Sequence, residues 1–140
     1  MLIYPTFVSM KRTLYIPFIV GMLFISLSCG AGHTPKSTVK HFFSALEDGK
    51  YDKALSYTTL SEDADYELYY AIMDKEHNSI VSKGGIKKID VTNQEPSLED
   101  ENQITITSLI HYGDGSTHEE YCDMVKDGNR WKIHCDLNAK

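Results

Sequence analysis

At Lys83-Gly84-Gly85 the apolar pattern of this chain changes period, and that change constrains the fold more than any other feature. Before it the period is helical. Val39, Phe42, Phe43 and Leu46 fall at i, i+3, i+4 and i+7, one face of a helix. Thr34 is placed to cap it, Pro35 suits its first position, and Gly49 suits its exit. A second helix is expected over Tyr51 to Thr58, with Ala54, Leu55 and Tyr57 packing back on the first. After the polar break Ser61-Glu62-Asp63, a third helix is expected over Ala64 to Ser82. Its stripe is Tyr66, Tyr69, Tyr70, Met73, His77 and Ile80, with Leu68 and Ile72 beside it.

Beyond Gly85 the pattern alternates. Ile86, Ile89 and Val91 mark one strand, and Ile104, Ile106, Ser108 and Ile110 alternate with Thr105 and Thr107 in the next. Thr117 to Lys126 and Arg130 to Leu137 form the last two, joined by the turn Asp127-Gly128-Asn129. A three-residue turn at Gly113-Asp114-Gly115 places Ile106 and Ile110 on one face with Cys122, Met124 and Trp131. That register makes a continuous apolar face. The order predicts an α+β domain: three N-terminal helices packed on a curved antiparallel sheet of about four strands.

Residues 1–28 differ from the rest. Lys11 and Arg12 precede an apolar run from Leu14 to Leu27, which gives way to Ser28, Cys29 and Gly30. A basic start, an apolar middle and a small-residue exit are the layout of a secretory signal. The run is about 14 residues long, short of the roughly 20 that span a bilayer. Met10, directly before Lys11, offers an alternative start that gives a compact leader. Ile25-Ser26-Leu27-Ser28-Cys29 resembles a lipobox, in which the Cys29 sulfur takes a diacylglycerol; ordinary cleavage after Ser28 is the rival reading. Residues 29–33 then form a lipidated tether and 34–140 a single domain. The partner implied is a membrane, reached through acyl chains without a spanning helix. The tether carries no acidic cluster, which favours an outer-membrane lipoprotein facing the periplasm.

Lipidation would consume one of the three cysteines and leave Cys122 and Cys135. Export favours a structural disulfide between them across the last hairpin, worth about 3 kcal/mol. Two buried thiols, or a redox pair, are the alternatives. The spacing is not that of a CxxC, and no second Cys/His pair completes a zinc set.

Both leader charges are basic, so all 20 acidic residues stay in the remainder against 12 Lys and Arg, a net charge of about −8. No basic run is present, which argues against nucleic acid. The sequence carries no phosphate loop, nucleophile elbow, His-Glu-x-x-His or dinucleotide fingerprint, so no cofactor, metal or catalytic residue is assigned. Tyr66, Tyr69, Tyr70, Tyr112 and Tyr121 are hydroxyl donors, and Asp123 or Asp136 would serve as a base. By alternation, however, both aspartates face away from the Cys122/Trp131 side. His111 and His118 flank the Gly113–Gly115 turn and with Glu119 or Glu120 make a metal site conceivable, but the preferred register does not pair them, and polar hairpin-end residues are the plainer reading. His134 stands alone.

The stretch from Thr34 to Ala54, with Pro35, Val39, Phe42, Phe43, Ala45-Leu46, Gly49, Tyr51 and Ala54 at its key positions, resembles the opening helix pair of nuclear transport factor 2-like (cystatin-like) domains. Val125-Lys126-Asp127-Gly128-Asn129-Arg130-Trp131-Lys132-Ile133 is similar to their closing hairpin. More narrowly, the chain resembles small lipoproteins of the domain-of-unknown-function type in that superfamily, from Gram-negative bacteria. The resemblance implies a cone-shaped fold enclosing a pocket, and it covers most of residues 34–137. Its motifs are structural, and fold does not choose function. The expectation is a non-enzymatic envelope module that binds a small apolar ligand, a peptide or an envelope protein, with Tyr70, Met73 and Trp131 as candidate wall residues. The alternative is a small-molecule isomerase, dehydratase or hydrolase using the pocket.

Overall fold

The computed structural model describes residues 34–135. Cys29, the leader and the tether lie outside the described residues, as does Asp136. Helix α1 spans Pro35–Glu47, α2 Tyr51–Leu55 and α3 Tyr66–Ser82. Strands are β1 Thr58–Thr59, β2 Ile86–Pro96, β3 Gln103–Tyr112, β4 Thr117–Asp127 and β5 Arg130–His134.

The helix ends follow from local chemistry. The Thr34 hydroxyl accepts from the Ser37 backbone N–H while the Ser37 side chain closes a reciprocal capping box, and Pro35 takes the first turn. Asp65 caps α3 by accepting from the Leu68 N–H. Val39, Phe43 and Leu46 are buried from α1, and Tyr69, Met73 and Ile80 from α3. They meet Ile106, Ile110, Met124 and Ile133 from the sheet.

The β3–β4 register has the expected form: Ile106 faces Cys122 and Ile104 faces Met124. The β4–β5 hairpin pairs Asp127 with Arg130, and Gly128 at φ 59° supplies the positive φ that a type II′ turn needs at its first central position.

Two features of the expected sheet are corrected. It has five strands, ordered β1-β5-β4-β3-β2, and is mixed, because β1 runs parallel to β5 with Thr58 beside Ile133 and Thr59 beside His134. Thr58, expected at the end of the second helix, thus joins the sheet. It is also neither closed nor strongly curled, so the cone shape is not formed. Its edge strands β1 and β2 lie at opposite ends and do not meet.

The expected disulfide is corrected as well. Cys122 and Cys135 are free thiols. The β4–β5 ladder stops at Met124 and Ile133, and Cys135 lies past the end of β5, where no ladder bond holds it against β4. Cys122 packs instead into the core beside Ile106 and Met124. Burial pushes its thiol up to about 12 and also raises that of Cys135.

Helix α3 is held at one end and along one side. At its C-terminus, the Gly113 N–H donates to the Gly85 carbonyl at 2.9 Å and the Asp114 N–H to the Lys83 carbonyl at 2.7 Å, joining α3 to the β3–β4 turn. Along its side, Tyr51 of α2 donates to Asp74 at 3.0 Å, and Tyr70 of α3 donates back to Asp52. His77 Nδ1 lies 3.0 Å from the Leu46 carbonyl oxygen. These contacts hold α3 against α1 and α2, while Tyr69, Met73 and Ile80 on its inner face join the core with the sheet residues.

Candidate functional site

Between α3, α1 and β4 lies a gap. The gap is a cavity of about 320 Å³, lined on its apolar side by Phe42, Phe43, Leu46, Tyr69, Ile72 and Met73. Its volume lies at the low end of the roughly 300–1,000 Å³ typical of ligand pockets. Phe42 and Phe43 pack edge to face with ring centroids 5.2 Å apart. Tyr69 directs its hydroxyl to the Cys135 carbonyl at 3.4 Å, so its ring serves as wall while its polar tip is occupied.

The polar side of the cavity comes from α3 and β4. Alternation along β4 puts His118 and Glu120 on the same face as Cys122 and Met124, towards the helices. Glu76 of α3 and the backbone-strand pair His118 and Glu120 join the lining, together with Cys135. His118 Nε2 lies 3.1 Å from Glu120 Oε2, with the side chains 55% and 37% exposed, so this pair sits at the mouth. Ser108 is the direct β3 neighbour of Glu120 and wholly buried, and its Oγ has no hydrogen-bond partner among the described residues.

Of the three proposed wall residues, the structure places Met73 in this cavity. Tyr70 is turned to the α2 side by its bond to Asp52. That bond raises the Tyr70 hydroxyl, with help from burial and the nearby carboxylate charge. Trp131 packs half-buried against the rim of the core, and its carbonyl accepts from the Thr38 hydroxyl at 3.1 Å.

The two histidines flanking the turn are separated. His111 faces the opposite side from His118 and bonds Asp90 at 3.1 Å. Asp90 is held below the usual carboxylate range, chiefly by Lys88 and further by His111. No group of His, Cys, Asp and Glu able to hold a metal occurs among the described residues. Asp123 is exposed and accepts from Thr105 at 2.7 Å, away from the helices. It belongs to a second, more polar groove of about 380 Å³, with Glu95, Gln103, Thr105 and His134 among its walls. His134 is no longer solitary: its Nδ1 lies 3.2 Å from the Thr59 hydroxyl. The groove is larger, but its lining is polar and lacks the aromatic wall of the first cavity.

Glu76 was not assigned to a site from sequence, and His118 and Glu120 entered only as part of a conceivable metal site with His111. The alternation that set Cys122 inward also sets His118 and Glu120 inward, so that part was available. Glu76 was not, because its place depends on how far α3 stands off the sheet.

With this geometry in view, the chain can be set beside known proteins. Residues 27–134 match the family model described as a domain of unknown function, DUF4878. The chain belongs to that family. Among curated proteins none matches. A crystal structure of an NTF2-like candidate transpeptidase from Campylobacter jejuni superposes with a TM-score of 0.64 at 17% identity, covering 74% of this chain and 99% of that one. The solution structure of a SEC-C motif-containing protein from Rhodopseudomonas palustris gives a TM-score of 0.48 at 13% identity, covering 74% and 77%. The DUF4878 domain described here therefore has a distant NTF2-like fold relationship, in a version with an open, flatter sheet. No helix among the described residues is long and apolar enough to cross a membrane.

Proposed function

We propose that this DUF4878 protein is an envelope lipoprotein, anchored through Cys29, whose domain binds a small apolar ligand without transforming it. The observation that carries the binding reading is the cavity between α1, α3 and β4, with an aromatic and aliphatic wall and an open polar mouth. Anchoring is supported by the leader and lipobox pattern. A short Gly-containing tether, residues 30–33, would hold the domain close to the outer membrane on its periplasmic side.

The His118–Glu120 pair favours the enzymatic alternative, an isomerase, dehydratase or hydrolase, because it puts an imidazole and a carboxylate at an apolar pocket. A general base in such a site works by being desolvated and aimed inward. Glu120 instead shares solvent at the mouth and is engaged by His118. The drier wall holds Tyr69, whose hydroxyl is already committed. Binding is the better reading.

An environment-sensitive apolar dye tests it. The native protein should bind the dye saturably, and Met73→Trp, which fills the cavity, should abolish binding while leaving the circular dichroism spectrum intact. Dye binding that survives Met73→Trp in a folded protein refutes the site. Mass spectrometry of the N-terminal peptide tests the anchor: a diacylglycerol-bearing Cys29 is expected, and an unmodified Cys29 or a different first residue contradicts it.

A further inference from the structure

We infer that the cavity selects ligands with a cationic, amine-type head on an apolar body. The inference rests on the binding reading above and adds the chemistry of the head. Two carboxylates, Glu76 on α3 and Glu120 on β4, stand at the polar side of the cavity, and its lining contains no Lys or Arg. Among the described residues, no Lys or Arg forms an ion pair with either carboxylate. The one partner found is the imidazole of His118 on Glu120.

Both carboxylates line the same cavity. Tyr112, buried on β3, has its hydroxyl raised first by burial and then by the charges of Glu76 and Glu120 together. Lys83 is the nearby cation, and it lies over the Tyr112 ring at 4.4 Å from the centroid. Ser108, the β3 register partner of Glu120, is buried on the same face of the sheet, and its hydroxyl has no hydrogen-bond partner among the described residues. Two carboxylates in a lining without Lys or Arg attract an ammonium and repel an anion, while Phe42, Phe43, Leu46 and Met73 cover an apolar tail. A carboxylate-headed ligand of the same length would have to bring a third negative charge to the mouth.

Hexylamine, hexanol and hexanoate test the inference, since they share a tail and differ in the head. Titrations of the native protein at pH 8 and low salt, followed by NMR shifts, should give hexylamine an affinity at least tenfold above that of hexanoate, with hexanol between. Raising the salt should shrink that ratio. The double variant Glu76→Gln/Glu120→Gln should bring hexylamine to within about threefold of hexanol while hexanol binding stays unchanged, the expected loss when a screened charge pair at a solvent-facing rim is removed. Hexanoate binding as tightly as hexylamine to the native protein overturns the inference and leaves the binding reading standing. So does a double variant that keeps the full amine preference. Failure of all three probes to bind defeats the binding reading itself.

Discussion

Replacing Gly113 by alanine should unfold the protein far more easily than its place in a turn implies. Gly113 does not have a positive φ, so its backbone is open to alanine. On conformational entropy alone the change would stabilise by about 0.4–1 kcal/mol. The structure says otherwise. A Cβ at Gly113 would lie 2.1 Å from the Gly84 carbonyl oxygen and 2.6 Å from its carbon, and both atoms are backbone. Relief requires the β3–β4 turn to move away from the end of α3. That movement breaks the Gly113–Gly85 and Asp114–Lys83 hydrogen bonds. At about 1 kcal/mol each, with further loss of packing, the net cost is about 2–3 kcal/mol after the entropic gain. For a domain of this size that corresponds to a fall in Tm of roughly 10–20 °C. Urea unfolding followed by the fluorescence of Trp131, the one tryptophan, measures it. Gly115→Ala is the control: at φ 87° with open space around it, it should cost only the roughly 1–2 kcal/mol of a left-handed residue. A Gly113→Ala protein within 0.5 kcal/mol of the native one, on the order of what an ordinary surface change costs, would refute the close approach.

Other outcomes follow from buried groups. Ser108→Ala should leave the ligand-free protein equally stable or up to about 1 kcal/mol more stable, because it removes a buried hydroxyl that lacks a partner; a clear loss in urea unfolding would show that the hydroxyl is bonded. Thr38→Val should cost about 1 kcal/mol, since it deletes the bond from α1 to the Trp131 carbonyl while keeping the shape, and an unchanged midpoint would count against that bond. Native protein at pH 8 should resist alkylation at Cys122 and react fully once unfolded, as a buried thiol pushed up to about 12 requires; rapid native labelling would contradict its burial. The same shift has a signed consequence. The folded state holds the Cys122 proton where the unfolded chain releases it, so stability falls as pH rises from about 9 towards 12, and Cys122→Ala should make that decline shallower.

Much of the fold was legible because the relevant patterns are long. The α1 stripe Val39–Leu46 spans two turns, and the β3 alternation spans ten residues, so both periods declare themselves. The turn lengths at Gly113 and Gly128 then set the registers of β4 and β5. What escaped is short or non-local. Thr58 and Thr59 make a strand of two residues, too brief for any alternation, and only β5 defines it. The free cysteines depend on where the β4–β5 ladder ends, which their spacing does not reveal. Tyr70 and Met73 belong to one helical stripe, yet Asp52 claims the first and the cavity the second. The site was legible in part: apolar walls follow from periodicity, whereas the cavity depends on how α3 docks beside α1 and β4, which no local pattern encodes. Leu68 and Ile72, expected beside the α3 stripe, are 47% and 38% exposed.

The central claim, that the space under α3 is the ligand site, is tested most directly by methyl NMR of the protein labelled at its methionines. Met73 lines the cavity and Met124 is wholly buried in the core. On titration with hexylamine, the Met73 methyl should shift saturably while Met124 stays in place. A Met73 resonance that does not move, or one that moves only together with Met124, would contradict the claim.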